Sequence, residues 1–354
     1  MGRVLKFFVL LTAAVIALLQ LPRGAVEQLY SRGVYPYVQP RLTSLTNRTA
    51  FAWFDAMLVI STCTIVLLWC VRLRRRKKGV WRTLGGLVVE TAAIGAVLYL
   101  WFLAAWGLNY RREPLRAQLD FHEDRITREN LRNLARRNVE SLNSLHKEAH
   151  TGGWPELAAV PGALAPAFDR AQQDLGMAWR AEPGLPKRSL LNFYFTRVSV
   201  DGMTDPFFLE TLANQSLLPF ERAATVAHEW SHLAGYADES EANFLGWLVC
   251  MRGSASDRYS GWLSLYFTVT GSLPRADREE ISRTLAPGPR ADLQAIRDRV
   301  QRQMVPVASR AGYALYDRYL KANRVEAGLR SYAEVIRLLL GTKFNEDGSP
   351  VLRR

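Results

Sequence analysis

The chain has 354 residues, of which 49% are hydrophobic and 22% charged, so it can bury a full core and still supply a membrane anchor. Its formal net charge of +13 is uneven: residues 1–109 carry 13 Lys and Arg against three acids, whereas residues 110–354 carry 33 against 30. This distribution disfavours nucleic-acid binding, which requires a basic surface on the folded domain, and the three cysteines offer no disulfide framework.

Three apolar stretches account for the N-terminal third of the chain, at about residues 4–21, 51–71 and 84–108. Each is close to the roughly 20 residues that an α-helix needs to cross a bilayer. The first has the position of a signal peptide, but no small-x-small cleavage site follows it, which favours an uncleaved helix. We therefore predict three transmembrane helices and a lipid bilayer as a partner.

The densest basic cluster in the sequence, Arg72–Lys78, lies between the second and third apolar stretches. The positive-inside rule places this cluster in the cytoplasm, so three spans would put the N-terminus inside and the chain after residue 110 outside. Two acids, Asp55 and Glu90, fall within the apolar stretches, near opposite membrane surfaces. Since they do not obviously pair, we interpret them as interfacial or helix-facing acids rather than as a proton relay.

Residues 110–345 have the composition of a globular, mostly helical domain, and residues 346–354 read as a C-terminal tail. Thr127 is predicted to cap a helix that carries His146 and His150 near its end. No acid in helical register completes a metal site with these two histidines, so we interpret them as a solvated helix end.

Two segments of this domain predict strands. In Ser189–Val200 aromatic and β-branched residues partly alternate, and Phe207–Leu212 is a second candidate. From these two segments we expect a small sheet within a mainly α-helical fold. An exposed edge strand of such a sheet can pair with an extended peptide. Further on, residues 311–340 predict two amphipathic helices around Ala327-Gly328.

The stretch from Pro219 to Gly235 contains an H-E-x-x-H motif, formed by His228, Glu229 and His232. Pro219 suits the first turn of a helix and Gly235 suits the residue after its last turn. On such a helix, side chains four residues apart project from the same face, so both imidazoles can bind one ion. Glu229 flanks that face and is placed to take a proton from the ion's fourth ligand, the arrangement of zinc peptidases.

A tetrahedral site needs a third protein ligand, and three acids follow the motif: Asp238, Glu239 and Glu241. The sequence of Asp238 to Glu241 also reads as a capping box, with Asp238 as N-cap and Glu241 reaching back to it. These two acids would then be occupied, which leaves Glu239 as the freest ligand. Asn243, one turn later, would hydrogen-bond Glu239.

His228-Glu229-x-x-His232 followed by Glu239-x-x-Ala242-Asn243 resembles the glutamate-ligand zinc metalloproteases. More closely, HEWSHLAGYADESEANFL together with Tyr316–Lys321 and Ser331-Tyr332 resembles an uncharacterised bacterial membrane family of predicted HExxH zinc metallopeptidases, over roughly residues 80 to 345. The resemblance implies N-terminal spans, a zincin-like catalytic domain, and a Zn²⁺ ion bound by His228, His232 and Glu239. It brings no substrate, and a metzincin-like pattern with Asp238 as the third ligand also fits.

These observations predict a membrane-anchored zinc metallopeptidase of a bacterial inner membrane, with its catalytic domain in the periplasm or outside the cell. Glu229 would be the general base and the substrate a peptide or protein, with Tyr236, Tyr259 and Tyr332 as candidate donors to the oxyanion. Two alternatives stay open: a metal-dependent hydrolase of a non-peptide envelope substrate, and a non-catalytic membrane scaffold with a structural metal. The sequence leaves the oligomeric state open.

Overall fold

The computed structural model describes residues 2–74, 79–323 and 334–353. The protein is mainly helical with a small three-stranded sheet. The N-terminal part contains, in order, α1 (Arg3–Leu18), α2 (Arg23–Val26), a π-helical segment (Glu27–Val34), α3 (Tyr35–Thr46), α4 (Trp53–Arg74) and α5 (Val80–Ala105). The following helices are α6 (Arg128–Gly152), α7 (Val160–Asp174), α8 (Asn192–Val198), α9 (Pro219–Leu233), α10 (Glu239–Met251), α11 (Ala255–Gly271), α12 (Arg275–Arg283), α13 (Pro287–Gln303), α14 (Pro306–Ala322) and α15 (Val335–Gly341).

Two helices of the described chain, α4 and α5, are long and apolar enough to cross a membrane. They have 22 and 26 residues, and most of their apolar surface is not covered by the rest of the protein. The prediction of three spans is wrong for the first apolar stretch. Helix α1 has 16 residues, so at about 1.5 Å per residue it is several ångströms short of a hydrocarbon core of about 30 Å. The chain leaves helical geometry at Leu19, shortly before Pro22.

The two acids in the apolar stretches both have polar partners. Glu90 on α5 accepts hydrogen bonds from Lys6 Nζ at 3.1 Å and Arg72 Nη1 at 2.5 Å. Asp55, in the first turn of α4, accepts from Ser189 Oγ at 2.6 Å and from the Leu190 amide at 2.8 Å. Glu90 therefore faces neighbouring helices, and Asp55 ties the start of α4 to the globular part of the chain.

The sheet has the order β1-β3-β2, with β1 (Pro186–Lys187) parallel and β2 (Gly202–Asp205) antiparallel to the buried central strand β3 (Glu210–Ala213). Met203 lies opposite Leu212 in this register. Strand β2 is an edge strand and contacts α9. A small sheet therefore lies beside the helix that carries the H-E-x-x-H motif.

The predicted strand Ser189–Val200 is wrong, because its centre forms helix α8. Phe195 and Val198, three residues apart, are its buried side chains, so the helical period positions its apolar contacts. The second predicted strand, Phe207–Leu212, overlaps β3 only in its last three residues. Its first residues form a turn in which the Asp205 carboxylate accepts the amides of Phe207 and Phe208, both at 2.9 Å.

Helices α9 and α10 lie at the centre of the main hydrophobic core, and a glycine lets them approach closely. A Cβ atom on Gly246 would lie 3.0 Å from the His228 amide nitrogen, so a larger residue would push the two helices apart. Helix α6 starts as predicted, with Thr127 Oγ1 accepting the Asn130 amide at 3.1 Å. The predicted C-terminal tail is held by backbone pairing, since Leu352 bridges to Leu119. The predicted junction of two helices around Ala327-Gly328 lies outside the described residues.

Candidate metal centre

Three side chains converge on one point between α9 and α10. His228 Nε2 lies 3.2 Å from His232 Nε2 and 3.2 Å from Glu239 Oε2, and His232 Nε2 lies 3.7 Å from the same carboxylate oxygen. Tetrahedral zinc with bonds of about 2.0–2.1 Å places its ligand atoms roughly 3.3–3.4 Å apart. The three predicted ligand atoms therefore have a spacing that fits a tetrahedral metal site.

The outer nitrogen of each imidazole has a hydrogen-bond acceptor. His228 Nδ1 lies 3.1 Å from Asn243 Oδ1, and His232 Nδ1 lies 2.7 Å from the carbonyl oxygen of Tyr236. Because a carbonyl oxygen can only accept, each Nδ1 carries a proton, and in the neutral form of each ring Nε2 therefore presents a lone pair. Asn243 was predicted to contact Glu239, and that prediction is wrong: it orients His228 instead.

The Glu239 carboxylate gives an independent indication of a cation. It is 2% exposed, and among the described residues the neighbours of its Oε2 atom are the Nε2 atoms of the two histidines, with no other hydrogen-bond donor. With both rings neutral, three electron-pair donors face one another in a buried position, which is unfavourable without positive charge between them. The residues present fit a divalent metal ion.

The pKa shifts of Glu239 and His232 also favour positive charge at this point. Burial would raise the pKa of Glu239, but His232 and His228 hold it well below its usual value. Burial would lower the pKa of His232, but the Glu239 and Glu229 carboxylates raise it to about 9. A cation at this point would supply the charge that these shifts favour.

The turn between the two helices determines which acid becomes the third ligand. Gly235 takes φ +88° after the last turn of α9, and Asp238 then caps α10 by accepting the Ser240 amide at 2.8 Å. The prediction of Glu241 as a capping-box residue is wrong. Its carboxylate accepts a hydrogen bond from the Leu115 amide at 2.6 Å. Glu239 is therefore the acid that faces the two histidines.

Glu229, the predicted general base, lies beside the triad, where the charges of His228, His232 and Glu239 act on it. The side chain is 4% exposed, and its Oε2 atom accepts a hydrogen bond from Thr204 Oγ1 at 2.9 Å. Burial raises its pKa, although His228, His232 and Thr204 act in the opposite direction. Gly202 on β2 leaves room for this carboxylate, because a Cβ atom there would lie 2.6 Å from Glu229 Oε1.

A tyrosine that was not predicted as a site residue completes the surroundings of the triad. Tyr316 on α14 donates a short hydrogen bond to Glu239 Oε1, and its ring stacks on Tyr319 with centroids 5.9 Å apart. Both residues belong to the segment that resembles the predicted peptidase family, and their i,i+3 spacing on a helix was the available sequence signal.

Two of the three tyrosines predicted as candidate oxyanion donors have other contacts. Tyr259 Oη donates to Asp292 Oδ2 at 2.5 Å, in a different part of the domain. Tyr236 contributes its carbonyl to His232, while its ring packs beneath the guanidinium of Arg112. Tyr332, like its neighbour Ser331, lies outside the described residues.

The second histidine pair lies at the partly exposed end of α6, as predicted, but an acid from another helix reaches it. His150 Nε2 lies 2.8 Å and His146 Nε2 lies 3.6 Å from Oδ2 of the buried Asp292, which comes from α13. This oxygen also accepts the Tyr259 hydroxyl, so the protein itself satisfies the carboxylate. That contrast with Glu239 Oε2 favours the H-E-x-x-H triad as the metal centre, although both groups have the composition of a ligand set.

Residues near α4 and α5 hold the C-terminal end of the motif helix, where carbonyl groups lack partners within the helix. Trp106 Nε1 donates to the His232 carbonyl at 2.9 Å, and Tyr35 Oη donates to the Leu233 carbonyl at 2.8 Å. Arg112 Nη1 donates to the Gly235 carbonyl at 3.0 Å. The position of the metal ligands therefore depends on contacts with the segments that flank α4 and α5.

Comparison with known families adds one finding. The family described as "Protein of unknown function (DUF3810)" matches residues 30–340, and the chain therefore belongs to this family. That description assigns no activity. Neither a curated protein nor a solved structure matches the chain.

Proposed function

We propose that this protein is a zinc-dependent metallopeptidase anchored in a bacterial inner membrane. One observation carries the proposal. The buried Glu239 Oε2 atom, with no donor besides the two imidazoles, faces Nε2 of His228 and of His232 at the spacing of a tetrahedral zinc site. Two neutral imidazoles and one carboxylate are a donor set that zinc accepts, with one coordination position left open.

Zinc bound here would lower the pKa of water towards neutrality and polarise a carbonyl group. Glu229 is the residue that takes a proton from the attacking water and returns it to the departing amine. Thr204 holds the Glu229 carboxylate by its hydrogen bond to Oε2, and Gly202 keeps the adjacent space free. Tyr316 fixes Glu239 through its other oxygen.

The substrate proposal depends on strand β2. Its four residues pair with β3 on one side, and Thr204 of the same strand contacts Glu229. An extended polypeptide that adds to the other side of β2 would cross the site beside Glu229 through main-chain hydrogen bonds. This arrangement favours a peptide or protein substrate.

The proposed membrane topology uses the two candidate spans. The basic cluster Arg72–Lys78 begins in the last turn of α4 and precedes α5 in the sequence, which places this connection in the cytoplasm by the positive-inside rule. The chain before α4 contacts the domain after α5, as in the hydrogen bond from Tyr35 to Leu233 of α9. We therefore place both on one side of the membrane. The catalytic domain would then face the periplasm or the exterior.

The test is a Glu229→Gln variant, purified beside the wild type in nanodiscs. Metal content is measured by mass spectrometry and cleavage is scored on a mixed peptide library. General-base catalysis contributes about 10²–10⁴-fold, so Gln at this position should reduce cleavage by at least about 100-fold while zinc and fold are kept. An exposed Glu148→Gln variant is the matched control.

Undiminished cleavage by Glu229→Gln would remove the assigned base. A zinc-loaded wild type that cleaves no peptide would contradict the peptidase assignment and favour a non-peptide substrate or a structural metal.

A further inference from the structure

Helices α8 and α14 expose large apolar side chains that the rest of the described protein does not cover. Phe193 of α8 is 65% exposed and Leu190, just before it, is 72% exposed. On α14, Val307 is 70% and Leu315 is 67% exposed. We call these four residues the α8–α14 face.

The two helices form one continuous surface. The Val305 amide, at the start of α14, donates to the Arg197 carbonyl of α8 at 2.9 Å. A Cβ atom on Gly312 would lie 2.8 Å from the Tyr194 hydroxyl, so α14 lies directly against α8.

Helix α14 separates two environments. At about 100° per residue, Val307 and Tyr316 project in opposite directions, and Tyr316 is the residue that contacts the metal ligand Glu239. One side of α14 therefore supports the metal centre while the other side is exposed and apolar.

This face continues from the membrane helices. The Leu190 amide donates to Asp55 in the first turn of α4, and Phe195 of α8 packs with Ala52 just before that helix. At the other end of α14, the Tyr319 ring lies 6.4 Å from Phe102 of α5, centroid to centroid. The exposed side chains thus begin where the candidate spans leave the bilayer.

Basic side chains lie along the same helices. Arg188 precedes α8, and Arg310 and Arg318 lie on α14; all three are exposed. An apolar face with Arg residues beside it is typical of helices that lie in the interface of a bilayer, where the basic groups reach anionic headgroups.

We propose that the α8–α14 face inserts into the membrane leaflet nearer the globular domain and holds the metal centre at the membrane surface. The occupant of this face is lipid, because the face is continuous with α4 and α5. The inference rests on the membrane location proposed above and is independent of the peptidase chemistry.

The test uses single cysteines labelled with a polarity-sensitive fluorophore in nanodiscs of phosphatidylcholine and phosphatidylglycerol. Cys250 is buried and burial raises the pKa of its thiol, so removing Cys63 and Cys70 gives an unreactive background. Phe193→Cys and Leu315→Cys report on the face. The exposed Ser144→Cys of α6 is the aqueous control, and a variant that keeps only Cys63 of α4 is the membrane control.

Two quenchers distinguish the outcomes: a lipid with a nitroxide near the headgroup, and aqueous iodide. Labels at positions 193 and 315 should be quenched by the nitroxide lipid at least about twice as strongly as the label at 144, and less by iodide. Val307→Cys provides a third position on the face should either variant fold poorly.

Iodide quenching at 193 and 315 equal to that at 144, with lipid quenching at Cys63 intact, would overturn this inference and leave the membrane anchor standing. Loss of lipid quenching at Cys63 as well would overturn the proposed membrane location. Protection of 193 and 315 from both quenchers would show a protein partner, such as a second copy of the chain, instead of lipid.

Discussion

Replacing Asn243 by Leu should weaken metal binding without removing a metal ligand. Asn243 Oδ1 is the acceptor for His228 Nδ1, at 3.1 Å, whereas the corresponding acceptor for His232 is a backbone carbonyl that no side-chain substitution removes. Leucine has a similar volume and no acceptor, so the His228 ring loses both its fixed tautomer and its fixed orientation.

The expected loss of zinc affinity is about 10- to 100-fold, which is the usual effect of removing such a partner and corresponds to about 1.4–2.7 kcal/mol. Asn243→Asp keeps an acceptor oxygen and should stay within about tenfold of the wild type, because a carboxylate orients an imidazole equally well. The two substitutions together separate loss of the hydrogen bond from loss of the asparagine.

The affinity is measured by competition with a chromophoric zinc chelator on purified protein. Asn138→Leu is the matched control: this buried asparagine of α6 donates to the Trp262 carbonyl at 2.8 Å, away from the triad. It should lower stability without changing zinc affinity. Equal zinc affinities for wild type and Asn243→Leu would refute the argument that the Asn243 hydrogen bond prepares His228 for the metal.

Gly202→Ala should reduce peptide cleavage about 100-fold while zinc stays bound, because the added Cβ displaces the Glu229 carboxylate; unchanged cleavage would show that Glu229 is not confined there. Glu27→Gln should lower the free energy of unfolding by about 3–5 kcal/mol, since it leaves the buried Arg112 guanidinium without its carboxylate, and chemical denaturation near neutral pH measures this. Burial raises the pKa of Glu27, but Arg112 and Arg32 overcome this and lower it, so the wild type should lose stability as the pH falls below about 4.5. The variant should lose less over that range, and parallel pH profiles would contradict the assignment. His150→Ala should leave the zinc content unchanged, because the Asp292 carboxylate that His150 contacts is satisfied within the protein; a proportional loss of metal would place an ion at this cluster too.

The candidate metal triad could be predicted from the sequence because its geometry is local. His228, Glu229 and His232 occupy one helical turn, and Glu239 follows only seven residues later, so a helix, a glycine turn and a second helix position all four. Glu239 is the acid that faces the two histidines, as the predicted ligand set requires, but part of the supporting argument was wrong. Glu241 is occupied by the Leu115 amide rather than by a capping box.

Residues from distant segments could not be predicted in the same way. Tyr316 is 77 positions from Glu239, and Asp292 is 142 positions from His150, so only tertiary packing brings each pair together. The failure at Ser189–Val200 has a similar cause. A short segment with mixed aromatic and β-branched residues fits either a strand or a helix, and packing of Phe195 against Ala52 and Leu212 decides for the helix.

The prediction of a third span is wrong because the first helix is too short. Apolar composition alone extended the first stretch to Leu21, whereas its helix ends at Leu18. The helix nevertheless lies along α5, where Lys6 pairs with Glu90. Composition identified the apolar character of this segment, and the backbone break before Pro22 set its length.

The most direct test of this account is the metal content of the purified wild type measured beside that of Glu239→Ala. The account predicts about one zinc ion per wild-type chain after dialysis, and a folded Glu239→Ala variant that retains little of it, because the variant removes one of three ligands. A wild type that binds no divalent metal in zinc-containing buffer, or a variant that binds it equally well, would contradict the assignment of this triad as a metal centre.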